Sequence, residues 1–157
     1  MAQIVIPTLL RQGSGMIVNI DSIGGLVALP WSTMYCASKS ALLAISQGMR
    51  RELHGSGIHV LTVIPGIVHS RFRENVISGT CPEGVANIRR IISPEGLAVS
   101  IAESVQRRRK YLYNPPIARL FSLANEFCPW AMDLYIKRKW DGAGVLKIAP
   151  ASQHEVG

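Results

Sequence analysis

The chain has 157 residues, the size of one ordinary domain, and 48% of them are hydrophobic, so a sizeable core can be buried. Only 17% are charged and no low-complexity tract occurs, which excludes a disordered polypeptide. The net charge of +7 is lopsided: residues 107–140 hold eight Lys/Arg against Glu126 and Asp133, and no zinc-finger, RNP-like or helix-turn-helix pattern accompanies them, so nucleic acid is not an expected partner.

Ile4 to Leu10 is a short apolar stretch containing Pro7, with no basic leader or small-residue cleavage pattern. It reads as helix, not as a signal peptide or membrane span. Gly13-Ser14-Gly15 interrupts it, and Met16 to Ile20 follows as the short apolar run of a buried parallel strand. Gly24 and Gly25 loosen the chain. Pro30 and Ser32 announce a helix reaching about His54, with Leu42, Ile45, Met49 and Leu53 at core-facing spacing, and Gly55 and Gly57 ending it. Ile58 to Ile64 is rich in β-branched residues and stops at Pro65-Gly66, a second buried strand. Strand, helix, strand implies a right-handed parallel crossover.

Residues 71–93 lack periodicity and read as a mobile loop with room for one short helix. Ser93 then caps a helix with Pro94 in its first turn, and Leu97, Ile101 and Val105 form one stripe. Tyr111-Leu112-Tyr113 is a third strand, and Ile117 to Trp140 is amphipathic helix broken near Pro129. The expected architecture is α/β, one domain over residues 1–140 with about three parallel strands and flanking helices, and a loose tail over 141–157. No internal repeat or linker divides it.

The most specific chemical signal is Tyr35-Cys36-Ala37-Ser38-Lys39 at the start of the central helix, whose four-residue spacing puts Tyr35 and Lys39 on one face. A free tyrosine titrates near pH 10, roughly, and exchanges protons reluctantly at neutral pH unless a cation favours its phenolate. Lys39 supplies such a cation, although the pair taken alone is also what chance puts on a helix surface. Ser22 lies just past the first strand, where open parallel sheets place ligand-contacting residues, and its hydroxyl suits a substrate carbonyl. By itself it is an ordinary turn serine. Pro65-Gly66-Ile67-Val68-His69-Ser70 ends the second strand in a rigid turn able to approach a flat ring; in isolation it is only a turn.

In this order, Val18-Asn19-Ile20-Asp21-Ser22, Tyr35-x-x-x-Lys39 and Pro65-Gly66-Ile67-Val68-His69-Ser70 resemble the second half of a short-chain dehydrogenase/reductase, over roughly residues 4–115. The resemblance implies a partial Rossmann fold that interconverts an alcohol and a carbonyl with NAD or NADP. It implies that Ser22 orients the carbonyl, that Tyr35 is general acid in reduction and base in oxidation, and that Lys39 assists Tyr35 and binds the nicotinamide ribose. Pro65, Gly66 and Val68 would line the nicotinamide face. Ser70 would stand where the family often has a threonine contacting the carboxamide or pyrophosphate. The same helix often builds a dimer interface in this family, which makes a second copy of the chain a candidate partner.

Two departures stand out. Asp21 occupies a place where serine is frequent. The family's N-terminal glycine motif has no counterpart, since Gly13-x-Gly15, Gly55-x-Gly57 and Gly142-x-Gly144 lack a third glycine and a preceding strand. The family's asparagine on the preceding helix is also without a clear match. The expectation is therefore a truncated catalytic half, the alternative being a noncatalytic remnant or isoform that serves as a binding or dimerisation module. Expressed alone, such a half should be inactive and poorly soluble or dependent on a partner.

His54, His59, His69 and His154 lack metal-ligand spacing, and no metal site is expected. Trp31 and Met34 flank the site and either touch substrate or pack. Cys36, Cys81 and Cys128 are odd in number and without a C-x-x-C partner, which points to a reducing, intracellular compartment. Residues 107–140 are a candidate for resting on an anionic membrane surface, because their basic residues bracket Leu120, Phe121, Phe127, Trp130 and Ile136.

Overall fold

In a computed structural model of the chain, residues 2–30, 32–70 and 91–141 are described. Helix α1 (Ala2–Gln12) leads into strand β1 (Gly15–Ile20), and a short 3-10 turn (Ile23–Gly25) follows. Helix α2 (Thr33–Glu52), strand β2 (Ile58–Pro65), helix α3 (Pro94–Gln106) and strand β3 (Tyr111–Asn114) come next. Helices α4 (Ala118–Phe127) and α5 (Pro129–Asp141) complete the order. The expected third strand, the Ser93 cap and the break at Pro129 all fall where the sequence placed them.

The sheet is parallel with order β1-β2-β3, so β2 is central. Alternation along β2 assigns its two faces. Ile58 and Val60 meet Met49 of α2 and Leu53 just past its end, with Ile6 and Leu9 of α1 packed alongside. Leu61 and Val63 point the other way, to Leu97, Ile101 and Val105 of α3 and to Leu112 of β3. The result is an α/β/α arrangement in which the central strand is covered on both sides, as a continuous apolar run requires.

Polar ties fix α2 on its face of the sheet. Asn19 Nδ2 donates to Ser46 Oγ at 2.8 Å, within a layer where Ser46 is fully buried. Arg50 donates to Tyr111 Oη and Thr62 Oγ1, both at 2.9 Å, to Lys110 O at 3.1 Å and to Val60 O at 3.3 Å. One guanidinium thus pins α2 to two strands, and its carbon lies 4.4 Å from the Tyr111 ring centre.

The helix announced by Pro30 and Ser32 begins at Thr33, although the Ser32 side chain makes no capping bond. Two expectations need correcting. Ile45 is 54% exposed, because its place on α2 turns away from the sheet while Met49, one turn on, is buried. The helix ends at Glu52, ahead of Gly55 and Gly57. Those glycines instead shape the turn into β2, both with φ near +80°. At Gly57 a Cβ would run into the Gly13 carbonyl oxygen, so two turns meet where only glycine fits. The loop over 71–90, Trp31, Cys81, His154, Gly142-x-Gly144 and the tail from 142 lie outside the described residues.

Candidate active site

Parallel strands end together, so the chain emerging from β1, β2 and β3 is delivered to one edge of the sheet, the edge where this class of fold binds ligands. Asp21 N–H donates to Val63 O at 2.8 Å and Gly66 N–H to Asn114 O at 2.7 Å, continuing the ladder just past the strands. Ser22 is therefore held beside the end of β2, and Pro65-Gly66 beside the end of β3.

The 3-10 turn folds directly beneath the first turns of α2. Ser22 Oγ accepts the Gly24 N–H at 3.1 Å, and Ser40 Oγ donates to Gly25 O at 3.1 Å, locking the turn to the helix. Gly24 is where Ser22 and Tyr35 approach each other: a Cβ there would lie 3.3 Å from Tyr35 Cε1 and 3.5 Å from Ser22 Oγ. Lys39 Nζ lies 5.8 Å from the Tyr35 ring centre and donates to Ile20 O, the last carbonyl of β1, at 3.0 Å. The structure thus brings Ser22, Tyr35 and Lys39 into one cluster. Because Ser22 Oγ acts as an acceptor toward Gly24, its own proton can be offered outward.

Pro65, Gly66 and Val68 form the neighbouring wall. Val68 bridges Ile92 in parallel fashion, with Ile92 N–H donating to Ile67 O at 2.8 Å and His69 N–H to Ile92 O at 3.0 Å. Ser70 lies exposed just beyond this bridge, at the rim of the wall. A cleft of about 360 Å³ opens between Ala28 to Pro30 and Thr33 on one side and Asp133, Ile136 and Lys137 of α5 on the other, so α5 flanks the segment joining Ser22 to Tyr35. Met34, at 83% exposure, is not a packing residue.

Asp21 is the feature whose importance the sequence left unassigned. It is 2% exposed and Ser22 is 8% exposed. Asp21 Oδ1 accepts the Ser22 N–H at 2.8 Å, whereas the buried Oδ2 has no hydrogen-bond partner among the described residues. Burial pushes the Asp21 carboxyl above its ordinary range, opposed by the Ser22 N–H and by the charge of Lys39. Among the described residues no group of three or more His, Cys, Asp and Glu side chains is placed to hold a metal ion.

The fold is that of an α/β protein, with Ser22, Tyr35 and Lys39 grouped at the C-terminal edge of a parallel sheet. Residues 1–80 match the short chain dehydrogenase family, and the chain belongs to it. It is 34% identical over 125 residues to human 17-beta-hydroxysteroid dehydrogenase type 1, covering 79% of this chain and 38% of that protein. An uncharacterized oxidoreductase of Staphylococcus saprophyticus is 35% identical over 103 residues, covering 66% and 41% respectively. The chain therefore spans less than half the length of these curated relatives. Among solved structures, a short-chain dehydrogenase from Sphingobium yanoikuyae in complex with NADPH superposes with a TM-score of 0.64 at 23% identity, covering 97% of this chain and 54% of that one. One from Burkholderia cenocepacia in complex with NADP gives 0.68 at 23% identity, covering 87% and 52%.

Proposed function

We propose that this chain carries the proton-transferring side of an NAD(P)-dependent interconversion of an alcohol and a carbonyl, with Ser22, Tyr35 and Lys39 as its working residues. The observation that carries this reading is their convergence on the edge of the sheet beside the Pro65–Val68 wall. Ser22 donates a hydrogen bond from its hydroxyl to the substrate oxygen and keeps its proton. Tyr35 gives a proton to that oxygen in reduction and takes it back in oxidation, with the ammonium of Lys39 held beside its ring.

The residues present fit the nicotinamide-ribose end of such a cofactor. An ammonium and a phenol suit a ribose diol, and Pro65, Gly66 and Val68 offer a flat, largely apolar edge, with Ser70 at its rim. Related structures captured with NADPH, NADP and NAD support a dinucleotide without choosing between the two forms. When bound, the cofactor supplies the hydride. No glycine-rich strand–turn–helix for its pyrophosphate occurs among the described residues: Gly13 and Gly15 lie at the opposite edge of the sheet, where β1 begins.

The test is nucleotide-dependent melting combined with turnover. NADH or NADPH should raise the Tm, since a ligand that binds only the folded state stabilises it. With the N-terminal half of a short-chain dehydrogenase joined to the chain, Tyr35→Phe should keep that shift while losing about 100-fold or more in turnover of a ketone and aldehyde panel. Lys39→Ala should lose both. A chain without any nucleotide-dependent shift would favour the binding-module alternative, and near-normal turnover in Tyr35→Phe would remove the catalytic assignment.

A second reading concerns where the protein works. Ile117, Leu120, Leu123 and Phe127 of the α4 region and Trp130 and Leu134 of α5 are exposed, Phe127 at 76% and Trp130 at 72%. This surface supports docking to an anionic bilayer through α4 and α5. Arg107 to Lys110 do not join that face: they precede β3, at the far edge of the sheet, while α4 follows the end of β3. Between Arg119 and Lys139 four basic residues stand against Glu126 and Asp133. No described helix is long and apolar enough to cross a membrane. Flotation with anionic liposomes that weakens in salt is the expected result, and absence of flotation rejects the reading. Free thiols at buried Cys36 and exposed Cys128 support a reducing, intracellular setting, and the exposed Ile45 on α2 supports pairing with a second copy.

A further inference from the structure

The family resemblance assigns no role to Asp21, yet among the described residues no other near the site combines burial, charge and an unused oxygen in the same way. An ionised carboxylate taken out of water is costly unless its oxygens are bonded. Here Oδ1 is bonded and Oδ2 is not. Such a group is poorly explained as a device for stability, because replacing it by an apolar or neutral side chain would remove the cost.

Its placement gives the alternative. A Cβ on Gly25 would lie 2.7 Å from Asp21 Oδ1 and 3.1 Å from the Lys39 main-chain carbon. The carboxyl therefore lies against Gly25 of the 3-10 turn, which is itself packed on the helix turn that carries Lys39. Its backbone N–H is tied to β2 through Val63 O, and its Oδ1 holds the N–H of Ser22. Ser22 is clamped at two points, with its N–H on Asp21 and its Oγ on the Gly24 N–H, and the second clamp directs the hydroxyl proton only if the first fixes the main chain. Lys39 in turn donates to Ile20 O, one residue before Asp21, so the ammonium and the carboxyl bracket the end of β1.

We propose that Asp21 is a positioning residue: its carboxyl holds the Ser22 main chain so that the Ser22 hydroxyl faces the substrate oxygen in register with Tyr35 and Lys39. The mechanistic part of this inference rests on the reading of Ser22, Tyr35 and Lys39 given above; the clamp on Ser22 does not. Asp21→Ala removes the acceptor. Asp21→Leu does the same while filling the volume, should the alanine variant fail to fold. Asp21→Asn keeps an oxygen for the Ser22 N–H and discards only the charge.

Two readouts separate the parts. Amide hydrogen exchange of the purified chain, resolved at Ser22, should accelerate at least tenfold in Asp21→Ala or Asp21→Leu and stay within about threefold of wild type in Asp21→Asn. In turnover with NADPH and a ketone panel, measured with the N-terminal half of a short-chain dehydrogenase joined to the chain, Asp21→Ala should lower kcat about tenfold with the nucleotide Kd unchanged within twofold, and Asp21→Asn should restore most of the loss. Unchanged exchange at Ser22 in both acceptor-less variants would overturn the clamp, whatever the turnover. Accelerated exchange with full kcat in a chain whose Tyr35→Phe variant is dead would overturn the positioning role alone. If Tyr35→Phe is fully active, the catalytic reading falls while the exchange result still decides whether Asp21 holds Ser22.

Discussion

Replacing Arg50 by methionine tests how the helix that carries Tyr35 and Lys39 is held on the sheet. Methionine keeps much of the aliphatic stem but removes four hydrogen bonds, two of them at 2.9 Å, and the stacking on Tyr111. Arg50 is only half-buried, so water recovers part of the loss and each bond is worth the lower part of its usual range, about 0.5–1 kcal/mol. Four such bonds give about 2–4 kcal/mol, and loss of the stacked cation adds about 0.5 kcal/mol. Thr62, fully buried, also loses the donor to its Oγ1, which keeps the total near ~3 kcal/mol. For a domain of this size that corresponds to a Tm lower by about 6–12 °C. The assay is urea and thermal unfolding at fixed protein concentration, with Arg50→Lys as the comparison. One ammonium cannot reach four acceptors in three directions, so lysine should recover less than half of the loss. An Arg50→Met variant within about 0.5 kcal/mol of wild type would refute the pin.

The remaining expectations concern Asp21, the core and two exposed features. The folded Asp21 carboxyl titrates above its ordinary value of 3.8, so its neutral form is the one the fold favours. Its contribution to stability is present below that value and is lost as pH rises through the folded value, with Lys39 softening the loss. Asp21→Asn should therefore gain stability over wild type as pH rises from 4 to 8 (about that window); a difference independent of pH would count against the buried charge. Leu61→Ala, at a fully buried site between β2 and α3, should cost ~2–5 kcal/mol in urea unfolding, whereas the exposed Leu134→Ala should change stability by less than about 0.5 kcal/mol. Gly57→Ala should cost more than ~1 kcal/mol, because φ is +80° and the new methyl group meets Gly13 O. β1 is an edge strand among the described residues, beside exposed Ile4, Val5 and Leu10 of α1. Sedimentation at micromolar concentration should accordingly show species larger than a monomer, and a clean monomer would contradict that.

Much was legible in the sequence because the relevant signals are local. A continuous β-branched run ending at Pro65-Gly66 marked β2, helical spacing of Leu97, Ile101 and Val105 marked α3, and the Ser93-Pro94 pair marked its start. Tyr35 and Lys39 are four residues apart, so helix geometry alone puts them together. Other facts depend on distant partners. Nothing local to Arg50 says that its side chain spans two strands, since Tyr111 and Lys110 lie about sixty positions away and meet it only when β3 docks on β2. Ile45 has the same spacing credentials as Met49; only the angle at which α2 lies on the sheet decides that one is exposed and the other buried. The basic run Arg107 to Lys110 and the apolar surface of α4 are neighbours in sequence, and a four-residue strand carries them to opposite edges of the sheet. Asp21 is the sharpest case. The sequence supplied an acid beside a serine, and only the closing of the 3-10 turn and α2 over that acid removed it from water and gave one of its oxygens to Ser22, because burial and hydrogen-bond satisfaction are properties of the assembled fold.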